Sequence, residues 1–171
     1  MARVPQVSES ADPEVQALIE RIKARRGGAL LDLDKALLNA PTIADGWNAF
    51  LGAVRTRCVL KGRWRELAIL QVAVLNGADY EFNQHAPVAL KEGMTQAQLD
   101  SLRRGDRTPF DATELAILDY TDAMTRMIRV PDAIFAAVSE RLPARDLVEL
   151  TATIGAYNLV SRFLVALEIG H

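Results

Sequence analysis

Cysteine is nearly absent from this chain: Cys58 is the single one in 171 residues. An intrachain disulfide and a CxxC redox pair are thereby excluded, and a reducing cytoplasm is the expected setting. Histidine is almost as scarce, with only His85 inside the chain and His171 at its end. One internal histidine without an HExxH pattern is a poor basis for a metal centre. The opening "MARVPQVSESADP" has no long apolar run, so neither a signal peptide nor a membrane anchor is expected there. Residues 1–12 are expected to be a flexible arm. No apolar–polar alternation between turn residues marks a strand, and no glycine-rich phosphate loop or Ser/His/Asp set is present. A net charge of -2 gives no footing for nucleic-acid binding.

What is present is helical. Half of the residues are hydrophobic and a quarter charged, enough for the core of one soluble domain, expected over 13–171. "PEVQALIERIKARRGG" puts Val15, Leu18, Ile19 and Ile22 on one face, with proline at the start and Gly27-Gly28 as the stop. "ALLDLDKALLNAP" ends before Pro41, and "TIADGWNAFLGAVRTRC" repeats its apolar residues at three- and four-residue spacing. "GRWRELAILQVAVLNG" is apolar nearly all round, which predicts burial in a bundle or a subunit interface. "DYEFNQHAPVALKEG" reads as a helix with Asp79 as its N-cap and Gly93 as its stop. Thr95 caps a short helix, and Asp111 with Glu114 forms a capping-box variant before "DATELAILDYTDAMTRMI". "DAIFAAVSERL" and "ARDLVELTATIGAYNLVSRFLVALEI" follow, with residues 103–109 and 141–145 as inter-helix loops. The expected fold is all-α.

Few residues could carry chemistry. Glu81 and His85 stand four apart on one helix, so their side chains are neighbours. A carboxylate beside an imidazole raises its pKa and can fix its tautomer, which prepares it for proton transfer near neutral pH. The plainer alternative is a solvated helix pair. Tyr80 and Phe82 point to a partly buried setting, and Pro87 removes one helix hydrogen bond beside the histidine. Glu66 lies early in the most apolar helix, as a buried acid or as a first-turn glutamate paired with Arg63 or Arg65. Glu66, Glu81 and His85 could be read as metal ligands, but no metal and no cofactor is expected. Tyr157, Asn158 and Arg162 stand in an apolar helix, where the guanidinium needs an anion from the protein or a substrate. Cys58 has cationic neighbours, yet a lone cysteine is more often inert packing.

"RELAILQVAVLNGADYEFNQHAPVALKEGMTQAQLDSL" resembles the core motif of the carboxymuconolactone decarboxylase family, which includes the alkylhydroperoxidase D-type proteins. The motif occupies about residues 60–105, and "GAYNLVSRFLVALEI" is similar to the family's closing helix. The resemblance implies a compact helical bundle that assembles as a homotrimer or homohexamer. In the peroxidase branch a glutamate is followed twelve residues on by the first cysteine of a CxxC. A histidine comes four residues after the second cysteine. Counted from Glu66, those positions are Ala78, Glu81 and His85. Both redox cysteines are missing while glutamate and histidine are kept, which points to the decarboxylase-type branch. The resemblance then implies cofactor-free decarboxylation or isomerisation of a small carboxylated lactone or enol-type compound. His85 would donate the proton, Glu81 orient it and Glu66 extend the relay, with Arg162, Tyr157 and Tyr80 at the substrate. An alkylhydroperoxidase-like antioxidant and a non-catalytic oligomeric ligand-binding protein are the alternatives.

Overall fold

Glycine and proline punctuate the chain, and the computed structural model, which describes residues 2–170, turns most of those marks into helix ends. The first helix, α1 (Pro13–Arg26), opens on Asp12, whose carboxylate accepts from the N–H groups of Glu14 and Val15. It closes on Gly27 at φ 81°, a left-handed conformation that a Cβ opposes and glycine adopts freely. The short α2 (Asp32–Leu37) leads to α3 (Pro41–Thr56), where proline takes the first helical position and its missing N–H costs nothing. Among the described residues the chain holds nine helices and no strand. The all-α expectation is met.

The residues divide into two compact units. One comprises the chain up to Cys58 together with the residues from Leu164 on. In it α1 and α2 pack on α3, burying Leu18, Ile19, Ile22, Leu33, Trp47 and Leu51. The segment ahead of α1 forms no helix, yet Val7 N–H donates to Lys35 O at 3.1 Å and Asn39 Nδ2 to Pro5 O at 2.8 Å.

The other unit, Val59–Phe163, contains α4 (Gly62–Leu75), α5 (Asp79–Lys91), α6 (Gln96–Arg104), α7 (Ala112–Arg126) and α8 (Asp132–Ser139). It also holds α9 (Ala144–Ala166) as far as Phe163. Eight successive residues of α4, Glu66 to Ala73, are buried, so the helix is enclosed on every side as its composition requires. It packs against α5, α6 and α7, and α7 packs on α8. Trimming a fully buried side chain such as Leu67 to alanine costs about 2–5 kcal/mol here, because the cavity closes only in part.

Thr95 and Asp111 cap α6 and α7 with full capping boxes, closed by Gln98 and Glu114. Asp79 departs from its expected role. Ala78 is the N-cap of α5, and Asp79 is its first residue, with its carboxylate 3.4 Å from Arg103. An acidic side chain in the first turn still meets the positive end of the helix dipole, so the signal was correct in region and one residue out.

Arg63 fastens the elements around α4. Its Nε donates to Glu114 at 2.6 Å, its Nη2 to Gln98 at 3.1 Å and its Nη1 to the carbonyl of Gly93. At the other end of α4, Asn76 donates to Asn158 at 3.1 Å and to Ser161 at 2.7 Å on α9. Asn158 in turn donates to Thr125 of α7 at 3.0 Å. Both ends of the buried helix are therefore tied by side-chain hydrogen bonds, and its middle is held by packing. Among the described residues no helix is long and apolar enough to cross a membrane.

Candidate functional site

Three helices of the second unit bring four side chains together. Glu66 comes from the first turns of α4, Glu81 and His85 from adjacent turns of α5, and Tyr157 from the middle of α9. The Nδ1 of His85 meets Oε2 of Glu66 at 2.6 Å. Its Nε2 lies 3.1 Å from Oε1 of Glu81 and 3.1 Å from the hydroxyl of Tyr157. The phenol ring stands edge-on to the imidazole, with centroids 5.0 Å apart and planes at 89°. All four residues are buried; the side chain of His85 is 9% exposed and that of Glu66 2%.

The hydrogen-bonding roles follow from the partners. An ionised carboxylate only accepts, so with Glu66 in that form the 2.6 Å contact places a proton on Nδ1. That leaves Nε2 as the nitrogen that gains or loses a proton. When Nε2 carries one, it can donate to Glu81 or to the oxygen of Tyr157. When it does not, the hydroxyl of Tyr157 can donate to it. Both protonation states of the ring are thus served. Burial is the largest influence on the imidazole and opposes its charge. The hydrogen bonds to Glu66 and Glu81 and their negative charge outweigh it, so the pKa of His85 is raised above its ordinary 6.5.

Glu66 is held from its other side as well. Arg65 Nε donates to Oε1 of Glu66 at 3.1 Å, and Arg65 Nη2 is 3.8 Å from Glu92 near the end of α5. The carboxylate of Glu92 occupies the space over Gly62, where an added Cβ would collide with it. The sequence offers Arg63 or Arg65 as partner of Glu66. The structure gives Arg65 to Glu66 and Arg63 to Glu114.

Of the residues singled out in the sequence, Glu66, Glu81, His85 and Tyr157 converge. Tyr80 is half-buried one residue before Glu81, about 100° round the helix from it. Arg162 is exposed and donates to the carbonyl of Asn158 at 3.2 Å and to its Oδ1 at 2.6 Å, within the Asn76 cluster rather than at His85. In place of the anion that its sequence context calls for, a neutral amide oxygen and a backbone carbonyl accept its hydrogen bonds. The Arg65–Glu92 arm was not assigned to the site from sequence. Its signal was the Arg-Glu pair opening "RELAIL", but which arginine turns inward depends on the helix face. A groove of about 630 Å³ in the first unit, lined by Asp12, Glu14, Arg21 and Asp45 among others, holds none of these residues. Among the described residues no group of three or more His, Cys, Asp or Glu is arranged to hold a metal ion.

Residues 41–123 match the model of the Carboxymuconolactone decarboxylase family. Over that span the chain is similar to this family. No curated protein sequence matches the chain. Solved structures share its architecture. An uncharacterized peroxidase-related protein from Silicibacter sp. TM1040 aligns with a TM-score of 0.81 at 17% identity, over 98% of this chain and 90% of that one. A protein of unknown function from Agrobacterium tumefaciens, proposed to be the antioxidant defence protein AhpD, gives 0.72 at 22% identity, over 79% and 94%. A variant of the debrominase Bmp8 in complex with 2,3,4-tribromopyrrole gives 0.76 at 11% identity, over 99% and 92%. At these identities the likeness is one of fold. It places the chain in the AhpD-like all-α fold, with a single cysteine and so without a CxxC pair.

Proposed function

We propose that this carboxymuconolactone decarboxylase-like protein is a cofactor-free enzyme that transfers a proton to or from a small carbonyl-conjugated substrate, by decarboxylation or isomerisation. The observation that carries the reading is the buried imidazole of His85, fixed at Nδ1 by Glu66 and facing Glu81 and Tyr157 with Nε2. In a decarboxylation, the bond from the carboxylate carbon to the substrate breaks and its electron pair enters the conjugated carbonyl. CO2 leaves, and the resulting dienolate carbon takes a proton from Nε2 of His85, which water then restores. General acid catalysis of this kind contributes about 10²–10⁴-fold. In this reading Glu66 orients the ring, Glu81 and Tyr157 hold the exchangeable proton, and Tyr80 borders the substrate. Arg162, bonded to Asn158, would have to swing away to hold a substrate carboxylate.

Peroxide reduction by a dithiol needs an attacking thiolate and a resolving partner. Ala78 and Glu81 stand where the sequence comparison would put them, which favours proton transfer over an alkylhydroperoxidase-like activity. Burial of Glu81 and His85, in place of a solvated pair on a helix surface, favours an active site over a bare scaffold. We further propose a cytoplasmic homotrimer or homohexamer. Phe135 on α8 and Val148 and Leu159 on α9 are large exposed apolar side chains that an assembly would cover. Static light scattering tests the assembly. Turnover tests the chemistry: a panel of unsaturated lactone acids and enol acids is followed by loss of conjugated absorbance with wild type and His85→Gln. Turnover lost in the variant supports the reading, and equal turnover in both contradicts it.

A further inference from the structure

One charged side chain beside the site has no part in the proton-transfer scheme. Arg65 is only 12% exposed, and its fork spans two carboxylates, Glu66 at 3.1 Å and Glu92 at 3.8 Å. It reaches the oxygen of Glu66 that His85 does not use, since Oε2 meets the ring and Oε1 meets the guanidinium. Among the described residues, the titratable groups that meet the ring are Glu66 from α4, Glu81 from α5 itself and Tyr157 from α9. Arg65 and Glu92 stand one contact further out.

Where water is excluded, a proton between a carboxylate and an imidazole has two possible homes. Removing two charges from water is costly, so burial by itself favours neutral carboxylic acid and neutral ring over the ion pair. A guanidinium on the far oxygen shifts that balance, because it stabilises the carboxylate only while the carboxylate is charged. We propose that Arg65 is a positioning residue that keeps Glu66 ionised, and so fixes one proton on Nδ1 of His85 and leaves Nε2 as the exchanging nitrogen. The assignment deepens the proton-transfer reading and rests on it.

The alternative arrangement has a distinct signature. With Glu66 protonated, its O–H donates to Nδ1, and the single proton of the neutral ring moves to Nε2. There it is committed to Glu81 or Tyr157, and the ring has no free lone pair at Nε2 with which to accept a proton. Glu92 supports the first arrangement from outside. Its carboxylate, seated over Gly62 at the start of α4, holds the outer end of the fork. Were Arg65 only a clamp between α4 and the end of α5, its loss would weaken the fold and leave the ring tautomer alone.

The chain has two histidines, so the side-chain nitrogen spectrum of uniformly ¹⁵N-labelled protein contains two rings, and His85→Gln identifies that of His85. Above its titration, the neutral His85 ring of the wild type is expected as the Nδ1–H tautomer by about tenfold or more, a preference worth about one pKa unit. In Arg65→Gln that preference falls to near even or reverses, and the ring titrates at lower pH. Arg65→Lys, which keeps the charge, restores the wild-type spectrum. A wild-type ring in the Nε2–H form, or an Arg65→Gln variant with unchanged tautomer and titration, overturns the proposal. If Arg65→Gln does not fold, the wild-type tautomer decides alone, with Nδ1–H for it and Nε2–H against. These spectra need no substrate, so this assignment and the turnover reading can fail separately.

Discussion

The carboxylate of Glu66 meets Nδ1 of His85 at 2.6 Å, although the two residues stand nineteen positions apart on different helices. The nearer acid in sequence, Glu81, takes the other side of the ring at 3.1 Å. An imidazole gripped by two carboxylates in a buried setting is a costly arrangement unless its charges are matched. Its consequences are measurable.

Removing the ring leaves the acids facing each other. His85→Ala takes the ring from between Glu66 and Glu81, but Glu66 keeps Arg65, so the expected loss is about 3 kcal/mol, the low end for a buried pair broken from one side. Urea denaturation at neutral pH is expected to show a loss of that order. Lowering the pH until the carboxylates protonate should shrink the difference from wild type.

Stability should also depend on the titration of His85. Its folded pKa is raised above the ordinary 6.5, so the folded state binds the ring proton more tightly than the unfolded chain does. The stabilising contribution is therefore complete below about 6.5 and is lost as pH rises through the raised folded value. Melting temperatures of wild type against His85→Gln, taken from pH 5 to 9, should converge at the alkaline end from this cause. A gap that widens with rising pH would contradict it.

Tyr157 is a narrower probe, because Tyr157→Phe keeps the volume and the edge-on ring while removing one hydroxyl. Loss of the bond to Nε2 is expected to cost about 0.5–1.5 kcal/mol of stability. The proton-transfer reading adds a second consequence, a displaced pH profile of turnover, since the neutral ring loses a donor at the nitrogen that exchanges. Thermal melts and a pH–rate profile separate the two effects.

Away from the chemistry, Arg63 joins Glu114, Gln98 and the carbonyl of Gly93. Arg63→Ala leaves the carboxylate of Glu114, 3% exposed, without its cation. Glu114 keeps the N–H of Asp111 as a donor, so the expected loss is about 2 kcal/mol, below that of a wholly stripped buried charge. Chemical denaturation measures it.

The helices were legible because local rules mark their ends. Asp12, Thr95 and Asp111 cap, Gly27 stops, and Pro41 starts, each through bonds within a few residues of itself. Asp79 misled by one place because a first-turn acid and a capping acid carry the same compositional signal. Within the site, the pairing of Glu81 with His85 follows from helical spacing, while that of Glu66 with His85 does not. It depends on how α4 and α5 pack, and that is set by the whole buried face from Glu66 to Ala73. The same holds for Arg63 and Arg65. Two residues apart on a helix, they point in different directions, and only packing decides which acid each one meets. Arg162 shows the opposite limit. An arginine in an apolar helix needs an oxygen, and Asn158, one turn back, supplies it.

The central claim is that His85 moves a proton to or from carbon, and deuterium exchange measures that step directly. Small ketones, enol acids and unsaturated lactone acids are incubated in D2O with wild type and with His85→Gln, and deuterium uptake at carbon is followed by NMR. The account predicts protein-dependent uptake into at least one of these compounds, reduced in the variant by about 10²-fold or more. Uptake equal in the two proteins, or none with either across the panel, would contradict it.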